Sequence, residues 1–409
     1  MSVGNVATVI GLIIAVLGVP ATLIAWRLGR SDRAKTRFLT ILAYARKEQA
    51  QLSALALSST SPAWRFDTIP MLTKPGWILP HPVPLEKVAL DWVERPLWPS
   101  ALNRDASRIF PDDGAGHRLA YSRALTGLGG MNHLFDGKIY RPVQIDVDNG
   151  IRITCTEDNY FDYLDTGEAL AFEAAVGVLS HARSPINGKF RRSLGDPFDL
   201  TRRIASLGVV TLTIRSGPAG AGFYLHHRNG DRVVAGSETV HVVPAGEFTP
   251  SDLTYEAVTS DFNLERNIVR EYAEEFLDVE EAYGQGGRWL DYRHESPYRE
   301  MTEAIDAGAM RISVLGIGLD PLNWKPELFT VCVIDAAAFD SIFDLKRIAA
   351  RENKLLTGQE GRILVGPDGT GLPFTAATVT RYVDNPNTRF AASACLSLTW
   401  RHRAELGLA

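Results

Sequence analysis

Residues 261–278, DFNLERNIVREYAEEFLD, decide how this chain is read. At about 100° per residue, a helix through this stretch gathers Glu271, Glu274 and Glu275 into a sector roughly 100° wide. Phe262, Val269, Tyr272, Ala273 and Phe276 collect on the opposite side, as a core-facing surface requires. Carboxylates crowded in this way raise one another's pKa unless a cation neutralises them. Hard divalent ions such as Mg²⁺ take oxygen ligands of this kind and keep waters and phosphate oxygens beside them. The sector is therefore a candidate magnesium–phosphate site. A plainer alternative, an amphipathic helix with a solvated acidic face, accounts for the same pattern.

Around this stretch lies a chain of 409 residues, enough for one large domain or two ordinary ones. Its 45% hydrophobic and 22% charged residues are those of a globular protein. A net charge of −5, with no long basic run after residue 37, argues against a nucleic-acid-binding surface. Cys155, Cys332 and Cys395 are odd in number and far apart. They show neither a disulfide framework nor zinc-ligand spacing, which fits a reducing compartment. Cys332, within TVCVID, reads as a small core residue of a buried strand.

The N-terminus belongs to a different solvent. No charged residue occurs from Ser2 to Trp26, a run long enough to cross a bilayer as a helix. Arg27, Arg30, Arg33, Lys35 and Arg37 follow it, against Asp32 alone. A secretory signal has its basic residues before the apolar run, so an uncleaved anchor is expected. The positive-inside rule then places the bulk of the chain in the cytoplasm, with a single span in the cell membrane. Gly4, Ala7, Gly11, Ala15, Gly18, Thr22 and Ala25 form a seam of small residues along one face. In lipid such a seam is a candidate surface for homo-oligomers.

The expected organisation is an anchor over residues 1–30 and a helical juxtamembrane stalk over 31–60. A Pro/Trp-rich segment and α/β extension occupies 61–205, and a final domain with C-terminal helices occupies 206–409. Eight prolines between 62 and 99 exclude a regular helix or a central strand there. PVQIDV and IRITCT read as a hairpin around Asp148-Asn149-Gly150. A helix is expected over 166–182, and strands over 209–215, 222–228, 239–246, 311–320 and 328–335. Helices follow at 374–383 and 391–406. Strands, one helix, strands, then helices describe an α+β fold rather than a βαβ alternation.

The order of strand, VVPAGEF loop and helix bearing REYAEE resembles the Nudix hydrolases. Their signature is a Gly, a spaced Glu, then Arg-Glu-apolar-x-Glu-Glu-x-Gly-apolar on a loop–helix–loop. Gly246, Arg270, Glu271, Tyr272, Glu274 and Glu275 match it. DNYFDYLDTGEALAFEAA, GDPFDLTRRIASLGVVTLTIR, FYLHHRNGDRV, LGIGLDPLNWKPELFTV and LTWRHR extend the likeness over residues 120–405. They resemble the C-terminal Nudix-like module of actinobacterial regulatory proteins, in which a DNA-binding domain often comes first. The resemblance implies a mixed β-sheet/α sandwich that binds a nucleoside-diphosphate derivative through Mg²⁺ or Mn²⁺.

Glu271, Glu274 and Glu275 are then the metal-binding carboxylates, and Arg270 orients a glutamate. Metal would polarise a phosphoryl oxygen and lower the pKa of an attacking water. Glu275 or Glu265 is the candidate base. Backbone groups of Gly246 and Glu247 are candidates for contact with the phosphates or the cofactor. Three departures bear on phosphoanhydride hydrolysis. Arg270 lies 24 positions after Gly246 instead of 14, an insertion of about ten residues around TPSDLTYEAVTS. The spaced Glu falls at Phe262, and the Gly after the Glu pair is Leu277. The alternative function is therefore a non-catalytic nucleotide sensor that signals through self-association or partner binding.

Other motifs carry less. Gly316-Ile317-Gly318 lacks the third glycine and following helix of a dinucleotide fingerprint. The Gly366–Gly371 stretch lacks the Lys-Ser/Thr of a phosphate loop. His226 and His227 read as residues flanking a cleft or facing solvent.

Overall fold

Runs rich in Val, Ile, Leu and Thr supply the long strands at the centre of the protein, as β-branched side chains on a pleated surface should. The computed structural model describes residues 32–67, 69–94, 118–131, 134–228, 239–279, 289–343, 352–354, 360–366 and 369–408. The strands Gly208–Gly217 and Pro326–Asp335 run parallel in register from Gly208↔Glu327 to Ser216↔Asp335. Met310–Leu319 pairs antiparallel with Pro326–Asp335. Among the described residues these belong to a nine-stranded mixed sheet. Pro326–Asp335 is buried along nearly its whole length because both of its faces are covered.

Alternation along the strands divides the core in two. Val209, Leu328, Cys332 and Ile334 pack with Tyr272 and Phe276 of the helix Leu264–Leu277. Val210, Leu212, Ile214, Phe329, Val331 and Val333 pack with Ala391, Cys395 and Leu398 of the helix Phe390–Arg401. The C-terminal helix is thus the second cover of the sheet and not a tail. A three-stranded sheet, Ala89–Trp92, Arg152–Asn159 and Lys138–Asp146, stands beside this sandwich and contains the expected Asn149-Gly150 hairpin. A four-stranded sheet forms from Thr239–Val242, Leu225–Arg228, Glu360–Leu364 and Glu352–Lys354. The single strand expected over 222–228 is therefore two, broken at Tyr224 and shared between sheets.

The Pro-rich segment contributes strands of the main sheet. Ile69–Leu72 and Ile78–Pro84 pair with Met310–Leu319. Pro80, Pro82 and Pro84 are tolerated there because an edge strand need not donate to a ladder on both sides. Gly316 lets this edge approach, since a Cβ there would meet the Trp77 carbonyl at 2.8 Å. The sheet consequently draws strands from both sides of residue 206, and the expected boundary at 205/206 does not divide it.

Residues 32–47 and Gln49–Ser58 are helical, as the composition predicts. They do not stand free as a stalk: Phe38, Ile41, Leu42, Leu52 and Ala56 are buried in the larger core. The Phe38 ring lies 5.3 Å from Phe172 and 6.3 Å from Tyr121. The apolar run of residues 2–26 and its small-residue seam lie outside the described residues. Among the described residues no helix is long and apolar enough to cross a membrane.

Candidate functional site

The carboxylate helix begins and ends through local chemistry. Asn263 caps its start by accepting from the Arg266 backbone N–H at 3.0 Å. Val269, Tyr272, Ala273 and Phe276 are buried against the sheet, and the Tyr272 and Thr213 hydroxyls share a hydrogen bond of 2.7 Å. The helix stops at Asp278, whose φ of 54° is left-handed. Leu277, where the resembled signature has a glycine, stays helical. The sharp turn falls one residue later, at an Asp, a residue type that tolerates this conformation better than most.

The acidic side is not a solvated face. Asn267, Glu271 and Glu275 recur every four residues and run along the strand Ala245–Glu247 in the opposite direction. The Asn267 amide donates to the Glu247 carbonyl at 3.0 Å. The Glu271 carboxylate fills the space over Gly246 where a Cβ would otherwise stand. Glu275, only 8% exposed, accepts from the Ala245 backbone N–H at 3.3 Å. Two carboxylates are thereby seated on consecutive residues of one strand. The glycine is what allows it.

Glu274 turns the other way. Its carboxylate lies 3.8 Å from the Arg270 Nε, the i,i+4 pair that the sequence suggested. Arg270 is itself buried and donates to the Thr249 carbonyl at 2.8 Å, with Asp261 3.7 Å from its guanidinium. Burial would lower its pKa, but Tyr292, Glu274, Glu271 and Asp261 outweigh burial and hold it above its ordinary value. Asp261 also accepts from Ser251, at 2.7 Å from the backbone and 2.5 Å from the hydroxyl, and from the Tyr292 hydroxyl at 3.0 Å. Burial, then Glu274, pushes the nearby Tyr298 up to about 12. Asp261, Tyr292 and Tyr298 were not singled out from sequence. No local motif marks them, because their role comes from long-range contact with Arg270.

The remaining candidates separate from this cluster. Glu265 faces a cleft of about 330 Å³ lined by Leu85, Glu86, Val88, Leu90, Phe262 and Leu264. Burial, then Asp306, raises its pKa, and its charged neighbours are Arg266, Arg293 and Glu86 rather than the other helix carboxylates. The Glu247 side chain points to the opposite face of the sheet, 2.5 Å from the Lys325 ammonium, and the Ser206 hydroxyl donates to it. Phe262, where the family has its spaced Glu, packs against Trp92 and Tyr140 at 5.2 Å and Phe248 at 5.9 Å. The inserted residues form the short helix Tyr255–Ser260, anchored when the Tyr140 hydroxyl donates to the Val258 carbonyl at 2.8 Å.

No family model matches the chain, and no curated protein does. Among the described residues no group of three or more His, Cys, Asp or Glu side chains is arranged to hold a metal ion. The helix does bring two oxygen donors, Glu271 and Glu275, to a strand whose glycine makes room for the first of them. Mg²⁺ commonly takes one or two protein carboxylates and completes its shell with water and phosphate oxygens. This donor set fits such an ion.

Proposed function

We propose that this protein is a Nudix-like, membrane-anchored cytoplasmic protein that binds a nucleoside-diphosphate derivative through Mg²⁺ or Mn²⁺. The observation that carries the reading is the seating of Glu271 over Gly246 with Glu275 beside it on the Ala245 N–H. Glu271 and Glu275 would hold the cation, whose chemistry when bound is to neutralise and polarise the diphosphate oxygens. Arg270 keeps Glu274 and the helix in register with the loop at Thr249. The anchor belongs to the apolar run of residues 2–26, followed by its basic flank.

Binding without turnover, in a sensing or regulatory role, is the reading favoured within this proposal. Glu274 is engaged with Arg270, Glu265 looks into a separate cleft, and Phe262 replaces a carboxylate with a ring. Each removes a candidate base or ligand from the Gly246 floor. The deciding assay incubates the full-length protein and Mg²⁺ or Mn²⁺ with ADP-ribose-like, dinucleotide and nucleoside triphosphate compounds. Metal-dependent binding without product, lost in Glu271→Gln and Glu275→Gln, is the expected result. Product formation lost in the same variants would make the protein a phosphohydrolase. Neither binding nor turnover would end both readings.

A further inference from the structure

The floor of the proposed site is the strand Ala245–Glu247, only three residues long and paired with Gly208–Gly217. So short a ladder leaves its height to be set by side chains. On the helix side Asn267 holds the Glu247 carbonyl. On the far side the Glu247 carboxylate is held by Lys325 at 2.5 Å and by the Ser206 hydroxyl. Lys325 also pairs with Glu327 at 3.2 Å, so one ammonium serves two carboxylates. Gly208 lies opposite Glu247 in one ladder and opposite Glu327 in the other. A Cβ on it would strike the Glu327 carboxylate, so the glycine makes the convergence possible.

Position 325 follows Asp320–Trp324, a turn fixed from several directions. Asp320 accepts from the Leu322 N–H at 2.7 Å, and Arg203 donates to the Trp324 carbonyl at 2.7 Å. The Asn323 amide donates to Glu168 at 2.7 Å. The ammonium therefore approaches Glu247 from a rigid support. Lys325 is mostly buried, with 16% of its side chain exposed. The ammonium is shared between two carboxylates drawn from strands on either side of Gly208–Gly217. It reaches across the sheet to the residue next to Gly246.

We propose that Lys325 is a positioning residue for the carboxylate site, holding Glu247 from the far face of the sheet and thereby fixing Gly246 beneath Glu271. The geometry in which Glu271 and Glu275 take a divalent cation then depends on a residue that never touches it. This inference rests on the metal-binding reading above.

The test uses the full-length protein and Mn²⁺ alone as probe, read by electron paramagnetic resonance beside a thermal melt. Lys325→Met leaves the buried Glu327 carboxylate beside the half-buried Glu247 carboxylate with no cation between them, so Lys325→Met/Glu327→Gln, which keeps the charge balance, is measured with it. Loss of a supporting contact of this kind should weaken Mn²⁺ binding by about tenfold or more. Glu247→Gln should cause a similar loss that adds nothing to that of Lys325→Met, and Lys325→Arg should restore much of the affinity. Mn²⁺ affinity within twofold of wild type in the folded double variant, or losses that add independently, would overturn the proposal. A wild-type protein that binds no Mn²⁺, or whose binding survives Glu271→Gln, would instead remove the metal-binding reading and this inference with it.

Discussion

The Glu271 carboxylate occupies the volume that a side chain at Gly246 would need. Two residues 25 positions apart are thereby made interdependent. Gly246→Ala should lower stability by about 2 kcal/mol, since overpacking forces either the strand or the carboxylate to move. Glu271→Ala in the same chain should recover most of that loss while leaving Mn²⁺ unbound. A double-mutant cycle by urea denaturation measures the coupling, and additive effects would disprove it.

Phe262 stands where the resembled family has a glutamate. Phe262→Glu should not create activity. It should cost about 3 kcal/mol, because a carboxylate would enter a cluster of Trp92, Tyr140 and Phe248 that offers it no cation. Thermal denaturation beside the nucleotide assay decides the matter: a stable variant that gains turnover contradicts this account.

Asp278 ends the helix with a left-handed backbone. Asp278→Val should destabilise by about 1–2 kcal/mol, since a β-branched residue fits this region poorly. Asp278→Gly should be close to neutral, its relief of strain offset by the greater freedom of the unfolded chain. Equal losses in the two variants would place the importance of Asp278 in its side chain instead.

Glu327 carries a pH dependence. Burial pushes its carboxyl up to about 7, opposed by Lys325 and reinforced by Glu247. The unfolded chain ionises the same group near 4.5. Between these values the folded state binds more protons, so the contribution is complete below about 4.5 and is lost as pH rises through about 7. Its size is on the order of 3 kcal/mol. Glu327→Gln should flatten the fall in stability between about pH 4.5 and 7, as read from denaturant midpoints. An unchanged slope would assign the dependence elsewhere, for example to Asp165, which burial pushes up to about 6.

Periodicity made the helix Leu264–Leu277 and the strands Gly208–Gly217, Met310–Leu319 and Pro326–Asp335 legible, because each has a face or a run that only one packing satisfies. The acidic sector was legible as a sector but not as a buried one. Its burial depends on Ala245–Glu247 lying against it, and helical spacing carries no trace of a distant strand. The Pro-rich segment was legible only as what it is not, for a related reason. Proline forbids a central strand, yet Ile78–Pro84 is an edge strand, and edge position is a property of the whole sheet. Arg270 was found through its motif. Asp261 and Tyr292, which share its charge and burial, were found only through contact.

The burial of Phe38 has a mechanical consequence. Phe38 lies next in sequence to Arg37, the last of the basic residues that follow the apolar run, within the helical residues 32–47. The helical rise from Asp32 to Phe38 is about 9 Å and contains no turn or loop to absorb a displacement. A pull or a twist applied at Asp32 would be delivered to the rings of Phe38, Phe172 and Tyr121 with little loss. Residues 32–38 would then act as a handle rather than a leash.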